Sequence, residues 1–509
     1  MSVHGLTLGD VLGEHRRGRP LDVACVDGDV RLTYPELDDR VHRLAGALAA
    51  DGVGAGERVV WLGQNSFRVL ELLLACARLG AICCPANWRQ RADELAYVIA
   101  DLNPKVVVWE ESEAVEKARG QVDLDARWVH GGQEYESYAR AHAHDATERA
   151  AAVPADTVPT DAPVLALYTA AFDGRPNAAL LSHTALIAHS MSLLHIRQME
   201  PGFTFLNCGP LHHVGTMMFC LATLQIGGTN VFLPAFDAKG VCRLIEAERC
   251  TQAFLFGPMI DGLVEANKDG AHDLSSLRFI AHSPEWDAMI TVDDSPWCAT
   301  KMGGYGQTEV GGMLTFLGLG LGGAGLAGRS SPLTHVRILD AAGDEVAPGE
   351  VGEICARGPS VFSGYWRRPE LNRAKTAGGW HHTGDLGRRE ADGTITFIGP
   401  RLRMIKSANE NIYPAEVERA VKSHAAVADA AVIGVPDERF GQTVKAIVQL
   451  ADDATATAEE IIEYVRAEIA SYKKPRYVEF ATSIPKKGYT PDYDALDEQY
   501  GGGAYPGDG

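Results

Sequence analysis

The chain has 509 residues, a length that points to roughly three domains or to one large domain with satellites. Its hydrophobic fraction of 46% and charged fraction of 22% are those of an average globular protein, and they exclude disorder, collagen and coiled coil. Against 47 Lys and Arg stand 67 Asp and Glu, so the net charge of -20 repels phosphate backbones and anionic lipid, and nucleic acid is not an expected partner.

Apolar residues recurring near every 3.6 positions predict a helix over Tyr34 to Asp51, with Leu37, Val41, Leu44 and Leu48 on one face, and a strand follows over Arg58 to Leu62. The alternation continues with a helix over Arg68 to Leu79, a strand over Ala81 to Cys84, a helix over Ala92 to Asp101 and a β-branched strand over Lys105 to Trp109. Consecutive βα units predict a mostly parallel sheet covered by helices on both faces. Glu111 to Thr160 is rich in Ala, His, Asp and Glu and reads as a surface connection with one helix, after which a second βα series begins at Ala162.

From Leu333 to Arg357 short strands alternate with turn signals at Ala342-Gly343 and Pro348-Gly349. After about Gly399 a compact α/β segment is expected, with helices over Pro414 to Lys422 and Ala458 to Ala470 and strands over Ala428 to Val435 and Val444 to Leu450. The expected class is α/β: a large N-terminal domain of mixed and parallel sheets over 1–399, including a β-rich subdomain over about 325–398, then a small α+β domain over 404–487. The last segment, 488–509, is acidic and Gly-rich, and its composition predicts a mobile tail.

Ten cysteines are scattered without any Cys-x-x-Cys spacing, several inside apolar runs, which reads as buried, reduced thiols of a cytoplasmic protein. Met1 to Arg17 has no continuous apolar core, and no run approaches the eighteen or so residues of a membrane span, so neither secretion nor insertion is expected.

Four polar, turn-prone segments carry the chemistry: Leu167 to Asn177, Gly304-Tyr305-Gly306-Gln307-Thr308-Glu309, Trp380 to Gly387 with His381, His382 and Asp385, and Lys406 to Glu418. Each alone is an ordinary loop signal. In this order and spacing, together with Leu32 to Leu37, Pro210 to Gly215, Pro348 to Ile354 and Gly364-Tyr365-Trp366, the chain resembles the superfamily of adenylate-forming enzymes that comprises acyl-CoA synthetases, adenylation domains and luciferases.

That resemblance implies a small C-terminal domain that rotates between two poses. In one, Mg-ATP and a carboxylic acid give an acyl-adenylate; in the other a thiol, commonly coenzyme A, captures the acyl group. It implies Thr308, Glu309 and Lys406 as catalytic residues, with Glu309 also holding Mg²⁺ through ATP. Thr169, Gly174, Tyr305, Gly306, Asp385 and Arg401 would contact nucleotide, and His213, Gly304 and Met217 would border the acyl group. The implied small-molecule partner is a carboxylic acid or acyl thioester; a protein partner and the oligomeric state are left open.

The family pattern breaks in three places. Its first loop ends in Pro-Lys-Gly, and here Asn177 stands at the lysine, a loss of a charge-assisted phosphate contact worth roughly 1.5–3 kcal/mol. Alignment on Ser483-Ile484-Pro485 and Ala495-Leu496 puts Pro491 at the family's catalytic lysine, a donor whose loss costs on the order of 10²–10³ in rate. At the hinge Pro400 or its neighbour replaces an arginine and Arg403 the pivot carboxylate, while Ala408-Asn409 replaces a Gly-Gly. Two functions follow: an acyl-CoA synthetase with impaired or altered adenylation, or a non-adenylating homologue that binds an acyl or adenylate ligand or a partner, performs thiol capture alone, or runs ATP-independent chemistry.

Overall fold

The computed structural model describes residues 4–141, 158–169, 176–295, 303–400, 403–408, 410–452, 454–487, 490–503 and 505. Helix Tyr34–Ala50 starts where Thr33 accepts from the Glu36 amide and Glu36 reaches back to Thr33, a reciprocal cap. Helix Phe67–Leu79 starts on the Ser66 hydroxyl and stops at Gly80, whose φ of 64° is open to glycine. These helices pack on a seven-stranded sheet in which Ile82–Pro85, Arg58–Leu62, Val106–Trp109 and Arg127–His130 run parallel, while Pro163–Thr169, Asn177–Ser182 and Gly364–Tyr365 complete the other edge.

A five-stranded sheet of Gln252–Ala253, Thr204–Asn207, Thr229–Phe232, Val23–Asp27 and Val30–Thr33 stands beside it. Val59, Val106 and Val108 and the helical Leu72, Leu73 and Leu74 are fully buried, as expected of parallel strands covered on both faces. The β-rich part is an antiparallel sheet of His335–Leu339, Val351–Arg357, His381–Arg389 and Ile395–Pro400. The small C-terminal domain folds around its own core on Val427–Asp437 and Gly441–Leu450, with Ile405–Ser407 and Glu410–Ile412 at one edge. The described cysteines are all free and buried, and no described helix is long and apolar enough to cross a membrane.

Two expectations are corrected. The stretch after Glu111 holds two helices, Glu113–Gln121 and Gln133–Arg140, and the edge strand Arg127–His130 between them. The expected mobile tail contains helix Tyr493–Tyr500, whose Leu496 is fully buried. Gln442 Nε2 donates to the Gly503 carbonyl at 2.7 Å, and the Gly434 amide donates to the Tyr505 hydroxyl at 3.0 Å. Composition hid this because Tyr493, Leu496 and Tyr500, three and four apart, supply one apolar face inside an acidic stretch.

Candidate active site

One cavity of about 730 Å³ is bounded by both domains. The large domain contributes Thr169, His213, Gly304, Tyr305, Gly306, Thr308, Glu309 and Asp385, and the small domain Lys406, Glu410, Asn411, Tyr413 and Lys473. Most of the family-implied positions therefore converge. Gly174 and Arg401, and with them Asn409, lie outside the described residues.

Strand Gly304–Gln307 ends in a single 3₁₀ turn, Thr308–Val310, which aims Thr308 and Glu309 at the cavity. Two of its glycines are dictated by close approach: a Cβ on Gly304 would meet the Thr315 carbonyl oxygen at 2.2 Å and one on Gly306 the Gly312 oxygen at 2.1 Å. Glu309 is 7% exposed and its Oε1 accepts from the Tyr365 hydroxyl at 2.8 Å and the Thr169 hydroxyl at 3.3 Å. Such an acceptor-only carboxylate beside hydroxyls fits a hard cation with oxygen ligands.

Asp385 accepts from Tyr305 Oη at 2.5 Å and Gln307 Nε2 at 3.3 Å, and the amide oxygen of Gln307 is 2.8 Å from His381 Nε2. Burial pushes the Asp385 carboxyl up to about 6, and the Tyr305 bond holds it down in part. The Tyr305 ring stacks on Phe397, centroids 5.3 Å apart. Asn177, the expected lysine position, is 6% exposed and its Oδ1 accepts from Arg368 Nε at 2.8 Å. That guanidinium also pairs with Asp101 and donates to Tyr97, each at 2.8 Å. Sequence reasoning missed Arg368, which follows the Gly-Tyr-Trp motif by two residues.

From the small domain, Lys406 Nζ donates to Asn411 Oδ1 at 2.8 Å, and burial lowers its pKa. Lys473 is 5% exposed and crosses between domains, donating to Glu94 at 2.8 Å and to Glu416 at 2.6 Å. Arg89 pairs with Glu410 at 2.7 Å in a second crossing. His213 caps helix Val214–Ile226 by accepting from the Gly215 amide at 3.3 Å, and desolvation beside the cavity lowers its pKa.

Met217 is corrected: it is 2% exposed and packs in the core of the large domain, while the next two residues, Met218 and Phe219, line the cavity. Each helical residue turns the side chain by about 100°, so the apolar run Met217-Met218-Phe219 divides between core and cavity. Arg197 and Phe254, also on the wall, carried no motif signal.

The departures have structural counterparts. Arg403 pairs with Asp494 at 2.5 Å and with Asp497, and its guanidinium lies 5.0 Å from the Tyr505 ring centroid, so this cation anchors the C-terminal helix. Pro400 is the register partner of Asp385. Pro491 lies in a two-residue strand paired with Lys486–Lys487, and among the described residues none of this hairpin lines the cavity. The Lys486 ammonium is engaged by Asp429 at 2.7 Å. Ala408 has φ of 51°, the left-handed conformation that a glycine adopts without strain.

A site shared between a large α/β domain and a small α+β domain, with carboxylates at 309 and 385, is that of an adenylate-forming enzyme. Residues 12–366 match the AMP-binding enzyme family and residues 416–489 the AMP-binding enzyme C-terminal domain; the chain belongs to this family, in its acyl-CoA synthetase branch. It is 35% identical over 494 residues to a feruloyl-CoA synthase of Amycolatopsis, covering 93% of this chain and 95% of that one. An indoleacetate–CoA ligase of Aromatoleum aromaticum is 33% identical, with coverage of 89% and 90%. The structure of a Mycobacterium tuberculosis fatty acyl CoA synthetase superposes with a TM-score of 0.68 at 28% identity, covering 97% of this chain and 98% of that one.

Proposed function

We propose that this chain is an ATP-dependent acid–thiol ligase that joins a carboxylic acid to coenzyme A through an acyl-adenylate. The convergence of Thr169, Thr308, Glu309 and Asp385 of the large domain with Lys406 of the small one on a single cavity carries this reading. In the first half-reaction an oxygen of the acid forms a bond to the α-phosphorus of ATP and pyrophosphate leaves. In the second the thiol sulfur, having lost its proton, bonds to the acyl carbon and AMP leaves.

Asp385, oriented by Tyr305 and Gln307, accepts the ribose hydroxyls. Thr308 donates to the α-phosphate, and Glu309, held by Thr169 and Tyr365, would hold Mg²⁺. When bound, Mg²⁺ neutralises phosphate charge that would otherwise repel the attacking carboxylate. His213, Met218 and Phe219 border the acyl group. Lys406 on the small domain's cavity face supplies positive charge during thiol capture, the half-reaction suited to this domain arrangement. Adenylation, in which the 486–491 hairpin would face the cavity, proceeds without an ammonium at Pro491 and is slowed on the order of 10²–10³.

Pyrophosphate release with Mg-ATP and a panel of short, long and aromatic acids tests this. Release that requires acid and disappears in Glu309→Ala supports the ligase, and the Asn177→Lys, Pro491→Lys double variant is expected to be faster. Silence from the folded parent on every acid, with activity gained in the double variant, would instead favour a homologue that has given up adenylation.

A further inference from the structure

Glu353 and Cys355 lie two apart on strand Val351–Arg357, and His382 on strand His381–Arg389 is the register partner of Cys355. Residues two apart on a strand share one face, and the residue opposite joins them there. A Glu353 carboxylate oxygen, the Cys355 sulfur and a His382 ring nitrogen all lie within 4.8 Å of one another. His382 Nδ1 is 2.9 Å from Glu353 Oε2 and 3.4 Å from Cys355 Sγ. A zinc ion bound at about 2.0–2.3 Å holds its tetrahedral donors roughly 3.3–3.7 Å apart, so the imidazole and carboxylate need to part by only a few tenths of an ångström to admit one.

The groups behind these donors are those a metal centre uses. His382 Nε2 is 3.2 Å from the Ala377 carbonyl, an acceptor that fixes the proton on Nε2 and leaves Nδ1 to the metal. Glu353 Oε1 accepts from the Gly384 amide at 2.8 Å. A carboxylate has about four lone-pair sites, so its existing bonds persist while Oε2 ligates. A proton between Nδ1 and Oε2 satisfies those two atoms alone, whereas a cation serves the sulfur as well.

The Cys355 thiol packs with Leu339 and Trp380, and burial pushes it up to about 12, the Lys375 ammonium offsetting part of that. A metal in contact with the sulfur displaces the thiol proton to solvent. Lys375 itself donates to the His382 and Thr383 carbonyls at 3.0 and 3.3 Å. One thiolate and one carboxylate cancel a divalent charge, so this ammonium meets a neutral centre. The His382 and Glu353 side chains are 21% and 13% exposed, which leaves an open side for water as the fourth ligand.

None of the three residues lines the cavity, but Thr383 and Asp385, just beyond His382, do. Cys355 pairs with His382 and Glu353 with Leu386, so the second strand bulges over Thr383, Gly384 and Asp385. We propose that Glu353, Cys355 and His382 bind a divalent transition metal of the zinc class, which fastens the two strands at the bulge bearing Asp385. Sulfur and imidazole suit such an ion, whereas Mg²⁺ prefers oxygen ligands, so the site differs in chemistry from Glu309. It stands whether or not the cavity forms adenylates.

The test uses the full chain, freed of metal by a chelator and kept without nucleotide. Titration with Co²⁺ is expected to give the absorption of a tetrahedral Co²⁺–thiolate at one equivalent, and Cys355→Ser abolishes its charge-transfer band. His382→Gln and Glu353→Gln each weaken Zn²⁺ binding by more than about 10-fold, the least that losing even a supporting group costs. X-ray absorption of the zinc-loaded parent needs no variant: one sulfur at about 2.3 Å and nitrogen or oxygen donors at about 2.0–2.2 Å are expected. Hydrogen exchange over 381–387 slows on adding Zn²⁺ to the parent and is unchanged in Cys355→Ser. Folded parent without a charge-transfer band, a band that survives Cys355→Ser, or a zinc shell without sulfur overturns the site. Zinc bound through Cys355 with no change in exchange over 381–387 overturns the fastening of the bulge.

Discussion

The phenol of Tyr305 donates to the Asp385 carboxylate at 2.5 Å, two residues on different sheets that meet at the cavity wall. Burial raises the Asp385 carboxyl to about 6, above the ~3.9 of an unfolded aspartate. Between roughly pH 4 and 6 the folded protein therefore holds more protons than the unfolded chain, and stability falls as pH rises through that window. Asp385→Asn is expected to be more stable than the parent at pH 7, by on the order of 2 kcal/mol, with the gap closing toward pH 4. Denaturant unfolding at both pH values checks this; a variant less stable at pH 7 would contradict it. AMP affinity is lost in the same variant.

Lys473 places one ammonium between Glu94 of the large domain and Glu416 of the small one. Lys473→Met leaves two partly or fully buried carboxylates facing each other without a cation, a loss of roughly 3–5 kcal/mol. Neutralising both acids with Gln in the same background is expected to restore most of it. Chemical denaturation of the single and triple variants reads the difference, and an unaffected single variant would show that the crossing contributes nothing.

Ala408, with φ of 51°, carries a side chain where left-handed backbone disfavours one by about 1–2 kcal/mol. Ala408→Gly should raise the midpoint of thermal unfolding, the gain being partly offset by the greater entropy of glycine in the unfolded chain. A lowered midpoint would exclude strain at this turn.

Neighbouring methionines should separate by phenotype. Met217→Ala opens a void in the core and is expected to cost about 2–5 kcal/mol while leaving the ranking of acid substrates unchanged. Met218→Ala alters that ranking at a smaller stability cost. Unfolding and a kcat/KM panel on both variants decide the assignment, and interchanged results would reverse which residue faces the acid.

The βα series was legible because buried strands such as Arg58–Leu62 are nearly continuous apolar runs, and helices such as Pro414–Lys422 show a 3.6 period that begins at a proline. The motif residues at 304–309 and 385 could be recognised because glycine contacts as tight as those of Gly304 and Gly306 leave little choice of residue. What was hidden depends on distance in space. Arg368 meets Asn177 across 191 positions and Lys473 meets Glu94 across 379, and no local pattern encodes such pairs. Arg403 looked like a lost pivot, but its partners Asp494 and Asp497 lie in a segment whose acidity suggested a tail. Met217 was misplaced because an all-apolar run has no polar face from which to take its orientation.

The most direct test incubates the protein with Mg-ATP, coenzyme A and each of a panel of short, long and aromatic acids, and follows acyl-CoA by mass spectrometry and AMP by chromatography. Thioester and AMP are expected in equal amounts, both absent without the acid and both abolished by Glu309→Ala. Folded protein that forms neither product across the acid panel, or that forms AMP with no dependence on the acid, would contradict it.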